Sequence, residues 1–250
     1  MAEPVKNVET KTPPTAWADE MAPIMELDIS HIQTDDQAPV DSLFTERQQR
    51  LLVEPLYVSW KPSQPFLACD NVAIFYGLYL PPVVPDMFLS LGVEPPQGAL
   101  IHEKRRRSYF VWEYSKPPDV VVEVLSPSYG GEFDEKMRLY AQIGVGYYVV
   151  YDPADFRTTK RLTCYELQGR RYEEVLSGKL EGVGLEVRLW RGVFEGIEAE
   201  WLRWYDASGN LLLTGAELAE KERQRAEQAE ARAERLAAEL RKLGIDPDRI

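Results

Sequence analysis

The sequence predicts an α/β protein in which helices flank a mixed β-sheet and a long helix follows at the C-terminal end. Segments with helical spacing of apolar residues alternate with short segments rich in β-branched and aromatic residues, in the order helix, strands, helix, strand and hairpin. After residue 213 the composition changes abruptly to Ala, Glu, Arg and Gln, which is typical of a long exposed helix. These two observations determine the predicted fold class.

The chain has 250 residues, of which 44% are hydrophobic, so it can bury one sizeable core with appendages. Its two cysteines, Cys69 and Cys164, are too few for a disulfide framework, and the first residues contain no apolar stretch of signal-peptide type. We therefore expect a cytoplasmic protein. Prolines and polar groups interrupt the most apolar segment, residues 71–92, before it reaches the roughly 20 residues of a membrane helix, so we expect no membrane span.

Residues 1–42 form an acidic segment that we expect to be largely irregular, apart from a short strand at MELDISHI. This segment contains nine acidic residues and two lysines, a net charge of −7, which leaves −5 of the total −12 for the remainder. The remainder is only mildly acidic, so the overall charge does not exclude a nucleic-acid partner.

Residues 43–213 are predicted to form the main domain. A helix begins at Leu43, with Ser42 as its N-cap. Four segments bounded by Pro or Gly should then pair into one sheet. They are residues 66–77, 81–93, 108–114 and 118–126. A second helix at about 133–143 stops at Gly144, and a buried strand and a hairpin that turns at Gly169 follow it.

Residues 214–250 are predicted to form a C-terminal helix that ends at Gly244. Apolar residues occupy the a and d positions of a heptad repeat, with Glu222 as the polar exception. The apolar positions are Ala219, Ala226, Ala229, Ala233, Leu236, Leu240 and Leu243. Two interpretations stay open: a homodimer formed through a coiled coil, and a lone solvated helix held by Glu and Arg pairs four residues apart.

The stretch PPDVVVEVLSPS contains two acids, Asp119 and Glu123, on one predicted strand. Four residues of strand separate them by roughly 13 Å, so they cannot hold one metal ion together. Asp86 begins another predicted strand, and in an antiparallel pair the start of one strand lies beside the end of the other. We therefore expect Asp86 near Glu123 and Asp119 at the far end.

A lysine that often follows such an acid on the strand is missing, because Leu125 occupies its place. The second helix carries Lys136 and, one turn later on the same side, Tyr140. A helix packed on the sheet can bring this ammonium to the same point. Two carboxylates and a backbone carbonyl suit Mg²⁺, or Mn²⁺ in its place, and the lysine would stabilise charge on a phosphate.

The runs PPVVPD, PPDVVVEVLSPS and EKMRLYAQIGVGYYVVYDP resemble the bacterial restriction-endonuclease family of the PD-(D/E)XK superfamily in which the lysine has moved from the strand to the helix. The resemblance covers about residues 44–204. It implies a restriction-endonuclease-like fold and divalent-metal nuclease chemistry carried by Asp86, Glu123 and Lys136. One departure is Glu132, where the family usually has Asp four residues before the lysine.

We therefore expect a metal-dependent endonuclease that acts on nucleic acid, with DNA as the expected substrate. Tyr140, Glu46 and Asp119 are candidate helper residues, although solvation explains Glu46 and a structural role explains Asp119 more simply. The basic run Lys104, Arg105, Arg106 and Arg107 could contact phosphates or form a solvated loop. The alternatives are a plain ion pair between Glu123 and Lys136, and a non-catalytic nucleic-acid-binding or interaction protein that retains the fold.

Overall fold

The computed structural model describes residues 42–126, 132–156, 158, 160–243 and 246, and for residues 132 and 133 it describes the backbone alone. The predicted irregular segment, with its possible strand at MELDISHI, lies outside the described residues. The side chain of Glu132, the one departure from the family pattern, lies outside them as well.

The helices and strands alternate along the chain as the sequence pattern indicates. In chain order they are α1 (Leu43–Ser59), β1 (Phe66–Asp70), β2 (Ile74–Phe75), β3 (Met87–Leu91), β4 (Tyr109–Phe110), α2 (Val111–Tyr114), β5 (Val120–Val124), α3 (Glu132–Ile143), β6 (Tyr147–Tyr151), β7 (Leu162–Gln168), β8 (Arg171–Val175), β9 (Lys179–Leu180), β10 (Leu185–Phe194), β11 (Ile197–Asp206) and α4 (Gly215–Lys242).

The main sheet has six strands in the order β1-β3-β5-β6-β7-β8. Strands β5 and β6 are parallel, and α3 connects them, whereas every other neighbouring pair in this sheet is antiparallel. A parallel pair needs such a crossover, and a helix usually provides it. The predicted mixed sheet with flanking helices is confirmed.

The central strand β5 shows how the sheet separates two apolar cores. Val120, Val122 and Val124 pack into one core, which α1 and the β10–β11 hairpin complete. Val121 and Leu125 pack into the other core, together with residues of α3. Because successive side chains of a strand point to opposite faces, Glu123 lies on the α3 face.

Several predicted boundaries are confirmed. The Ser42 Oγ atom accepts a hydrogen bond from the Thr45 backbone N–H at 3.0 Å and caps α1. Gly144, with φ at 93°, follows the last residue of α3. Gly169, with φ at 65°, makes the turn between β7 and β8. Both glycines adopt a backbone conformation that side chains disfavour.

Two of the four segments predicted as strands are different in the structure. Residues 66–77 split into β1 and β2, because Asn71 turns the chain with φ at 48°. Residues 108–114 form only the two-residue β4 before the chain enters α2, in which Tyr114 stacks back on Tyr109 at a centroid distance of 4.6 Å. Packing here overrides the strand propensity of aromatic residues.

The prediction of one sheet is also wrong. Strands β2 and β4 pair in parallel with each other and form a separate two-stranded sheet. Strands β11, β10 and β9 form a three-stranded sheet that the sequence reading did not anticipate. Strands β10 and β11, of ten residues each, form a hairpin that turns at Glu195 and Gly196, both with positive φ, as a type I′ turn requires.

Helix α1 is joined to the three-stranded sheet through Gln48, which is fully buried. Its amide nitrogen donates to the Leu202 carbonyl at 2.9 Å, and its amide oxygen accepts from the Leu202 N–H at 2.9 Å. Leu202 lies on the edge strand β11, so Gln48 satisfies edge groups that would otherwise be buried without partners.

Helix α4 begins with a capping box formed by Thr214 and Glu217. The buried Arg203 guanidinium pairs with the Glu217 carboxylate at 2.7 Å and holds the first turn against β11. None of the helices in the described part of the chain is long and apolar enough to cross a membrane.

We predict that Gln48→Leu lowers the free energy of unfolding by about 3 kcal/mol, because the Leu202 N–H and carbonyl lose their partners in a buried position. Urea unfolding followed by far-UV circular dichroism measures this change. The control is Gln168→Leu, at an exposed position of β7, which should change stability by less than about 0.5 kcal/mol. Equal effects of the two substitutions would contradict the structural role of Gln48.

Candidate active site

The pairing of β3 with β5 brings Asp86 and Glu123 together. The register is antiparallel, with Met87 opposite Val122 and Phe88 opposite Val121. One residue further, Asp86 lies beside Glu123, at the end of the pair that the sequence predicted. The Val124 backbone N–H donates to Asp86 Oδ2 at 2.7 Å, which ties the aspartate directly to β5.

Glu123 is completely buried and receives hydrogen bonds from α3. Lys136 Nζ lies 3.1 Å from Glu123 Oε1 and 2.9 Å from Oε2. The hydroxyl of Tyr140 donates to Oε1 at 2.7 Å. Lys136 also donates to the Val84 carbonyl at 3.5 Å, on the segment that leads to Asp86. The predicted approach of Lys136 and Tyr140 to the strand acid is therefore observed.

Helical spacing explains why two side chains of α3 reach the same carboxylate. Lys136 and Tyr140 are four residues apart, so they lie on one face of the helix, about one turn from each other. Tyr140 is fully buried and packs against Tyr148 of β6 with ring centroids 5.4 Å apart. This contact fixes the rotation of α3, and the rotation directs the Lys136 ammonium toward Glu123.

A residue that the sequence reading missed, Gln49 of α1, holds the other carboxylate. Gln49 Nε2 donates to Asp86 Oδ1 at 2.8 Å, and Gln49 Oε1 accepts from Asn71 Nδ2 at 2.9 Å. Only 3% of Gln49 is exposed. The available signal was the pair Gln48-Gln49 inside the apolar pattern of α1, because a buried amide needs specific partners.

The electrostatics of the cluster are unfavourable for two ionised carboxylates. Burial and, after it, the negative charge of Glu123 raise the pKa of the Asp86 carboxyl to about 7. The Val124 N–H, Gln49 and Lys136 act in the opposite direction but do not compensate. A fully buried acid and a partly buried acid therefore lie close to one lysine ammonium.

These residues fit a divalent cation. A cation between Asp86 and Glu123 would favour both ionised forms and remove the repulsion that raises the pKa of Asp86. Within the described ranges, no group of three or more His, Cys, Asp or Glu side chains could hold a metal ion. An ion at this position would need a backbone carbonyl and water molecules to complete its coordination shell. Mg²⁺ usually keeps several water ligands in this way.

Asp119 lies at the other end of the β3–β5 pair. Its carboxylate accepts from the Leu91 backbone N–H at 2.7 Å and pairs with Lys116. Leu91 is the last residue of β3, whereas Asp86 precedes the first, so the length of β3 separates the two aspartates. The structure gives Asp119 a structural partner and does not bring it to Glu123.

The remaining candidates have other partners in the structure. Glu46 forms an exposed ion pair with Arg50 at 2.6 Å. Lys104–Arg106 form a short 3₁₀ helix, and Arg106 lies over the Tyr114 ring, 5.3 Å from its centroid, beside a groove lined by Gly92. That groove follows the end of β3, on the Asp119 side. Residues 127–131, which connect β5 to α3, lie outside the described residues.

Comparison with known proteins gives one family match. The model of the Uma2 family, described as "Putative restriction endonuclease", matches residues 36–189, which is more than half of the chain. No curated protein matches. A crystal structure described as a "putative nuclease belonging to DUF820", from Anabaena variabilis ATCC 29413, is similar over 56% of this chain and 70% of that chain, with 18% sequence identity and a TM-score of 0.40.

The raised pKa of Asp86 predicts a pH-dependent stability in the absence of divalent ions. The folded state keeps a proton that the unfolded state releases near pH 4, so the free energy of unfolding falls as the pH rises toward about 7. Asp86→Asn should remove this slope while adding a constant offset. Urea unfolding of both proteins in EDTA, between pH 5 and pH 8, measures the difference, and parallel curves would contradict the prediction.

Gln49 should determine how well Asp86 is positioned for a cation. We predict that Gln49→Leu weakens Mn²⁺ binding by roughly 10- to 100-fold, because Asp86 loses the group that orients its carboxylate. Isothermal calorimetry measures this affinity. The adjacent Gln48→Leu is the matched control, since it should lower stability and leave the affinity unchanged below its unfolding temperature. The prediction fails if both variants bind Mn²⁺ as the unaltered protein does.

Proposed function

The chain belongs to the Uma2 family of restriction-endonuclease-like proteins, and we propose that it is a metal-dependent endonuclease that hydrolyses phosphodiester bonds in DNA. The observation that carries this proposal is the cluster of the buried Glu123 with the partly buried Asp86 and Lys136 at one end of β3 and β5. The family match supports nuclease chemistry in general, and the chemistry of the cluster supports the metal ion and the assignment of roles.

The second carboxylate is the informative feature of the cluster. A purely structural ion pair would need only Glu123 and Lys136, which lie 2.9 Å apart. Asp86 adds a second, partly buried acid whose ionised form is disfavoured there. Such an arrangement lowers the stability of the fold unless a cation joins it, so we assign it a functional rather than a structural role.

Asp86 and Glu123 would hold Mg²⁺ or Mn²⁺ together with a backbone carbonyl and water. When bound, the ion would lower the pKa of a coordinated water and offset the charge of the scissile phosphate. Gln49 and the Val124 N–H hold the Asp86 carboxylate in place. Tyr140 acts as a positioning residue, because its hydroxyl fixes one oxygen of Glu123.

Lys136 is the residue that we assign to transition-state stabilisation. Its ammonium reaches Glu123 from α3, and about a fifth of its side chain is exposed, so a phosphate oxygen can approach it. Charge develops on the phosphoryl oxygens as the bond breaks, and a fixed ammonium in a partly dry site stabilises that charge. Lys136 can also hold the attacking water in line with the phosphorus atom.

DNA is the proposed substrate, and the protein's charge shapes how it would bind. The formal net charge is −12, so DNA binding cannot rest on a broad basic surface and should depend on the metal ion and on a few local cations.

The two cysteines bear on the cellular compartment. Cys69 and Cys164 are both free thiols, which supports a reducing cytoplasm as the working compartment.

A second candidate is a non-catalytic nucleic-acid-binding protein that keeps this fold. The observation that favours it is that Lys136 and Tyr140 already satisfy oxygens of Glu123 in the structure. The two functions differ in the behaviour of Lys136, because an ion pair without turnover would only stabilise the fold.

We predict that Lys136→Ala reduces nicking of supercoiled plasmid in Mg²⁺ or Mn²⁺ by about a hundredfold or more, because the transition state loses one charged donor. Mn²⁺ affinity, measured by calorimetry, should survive in this variant. Glu123→Gln should lose both cleavage and affinity, because it removes a ligand.

Lys116→Ala is the matched control for this experiment. Lys116 pairs with Asp119 at the other end of β3, so its loss should leave cleavage unchanged. Unimpaired cleavage by Lys136→Ala would contradict the assigned role. An unaltered protein that binds no Mn²⁺ and cuts no plasmid would favour the non-catalytic candidate.

A further inference from the structure

Helix α4 leaves the rest of the described structure after its first turn. It has 28 residues, and none of them is buried. The seam residues Leu236 and Leu243 are 58% and 74% exposed. Exposure of large apolar side chains to water is unfavourable, and burial of these side chains against a partner helix would remove that cost.

The apolar residues of α4 form a continuous seam from residue 226 onward. Ala226, Ala233 and Leu240 occupy the a positions of a heptad, and Ala229, Leu236 and Leu243 occupy the d positions. Alternating steps of three and four residues keep such a seam directed toward one partner helix along its whole length. The seam therefore fits another helix with the same repeat.

The charged residues beside the seam identify that partner. Arg225 lies at a g position, and Glu230 lies at the e position of the next heptad. In a parallel pair of identical helices in register, a g residue faces the e residue five positions later on the other helix. Arg225 of each copy therefore meets Glu230 of the other copy, which gives two attractive contacts.

An antiparallel pair of the same helices is also complementary in charge. Alignment of the seam from end to end would place Ala226 opposite Leu243 and Ala233 opposite Leu236. The g positions would then bring Arg232 of each copy against Glu239 of the other copy. Both orientations therefore give two attractive contacts with a second copy of this helix.

We propose that α4 forms a two-stranded coiled coil with α4 of a second copy of this chain. The coiled coil begins at Ala226, because the preceding d position holds the charged Glu222. Arg203 and Glu217 fix the start of α4 to the main domain, so the pairing of the helices also joins the two main domains. The proposal does not depend on nuclease activity.

Sedimentation equilibrium of the full chain tests the dimer. The double substitution Leu236→Glu with Leu240→Glu should raise the dimer dissociation constant by about a hundredfold or more, because two buried leucine layers become acidic. The control is Ala231→Glu with Ala238→Glu, which adds the same charges on the opposite face of α4. This control should sediment as the unaltered protein does.

Two charge exchanges determine the orientation of the dimer. In a parallel pair, Arg225→Glu alone should weaken the dimer, and combining it with Glu230→Arg should restore the affinity. In an antiparallel pair, Arg232→Glu alone should weaken the dimer, and combining it with Glu239→Arg should restore the affinity.

Three results would overturn the proposal. A full chain that sediments as a monomer at tens of micromolar would exclude the dimer, and dimerisation after removal of residues 1–41 would then identify that segment as the occupant of the seam. A dimer unaffected by the two leucine substitutions would use another surface. A dimer whose affinity responds to neither charge exchange would not be held by this seam.

Discussion

Glu123 is a carboxylate with no exposure to solvent, and much of the surrounding structure follows from that burial. A buried charge needs a partner and hydrogen bonds, since it has lost its hydration. Lys136 and Tyr140 supply both, and they can do so only if α3 packs on the sheet with one particular rotation. The crossover from β5 to β6 therefore serves two purposes: it connects two parallel strands, and it brings an ammonium to the acid.

The need of buried polar groups for partners also determines the contacts of α1, through two neighbouring glutamines. Gln48 binds the backbone of Leu202 on the second sheet, while Gln49 binds Asp86 at the candidate site. One turn of α1 thus carries both a contact that stabilises the fold and a contact that positions a residue of the candidate site. A local disturbance of α1 should reach both, which is why the two glutamines, tested separately, distinguish loss of stability from loss of function.

Two of the Pro-Asp pairs in this chain show how strand pairing assigns different roles to similar sequences. Asp119 follows Pro118 and pairs with the nearby Lys116, where it is partly solvated. Asp86 follows Pro85, lies against Glu123 and receives a glutamine and a backbone N–H instead of a cation of its own. The antiparallel register of β3 and β5 separates the aspartates, and only Asp86 shares its environment with another acid. These surroundings favour a metal-ion role for Asp86 and a structural role for Asp119.

The sequence alone determined the three long helices, most strands of the main sheet and the placement of Asp86, Glu123, Lys136 and Tyr140 at one end of it. These features depend on local periodicity and on the simple geometry of an antiparallel pair, both of which short stretches of sequence encode. The tertiary structure alone decided the short helix α2, the separate β2–β4 pair, the three-stranded sheet and the contact of Gln49 with Asp86. The β2–β4 pair and the Gln49 contact join residues that are distant along the chain, and no local pattern indicates which distant partner a buried polar group will find.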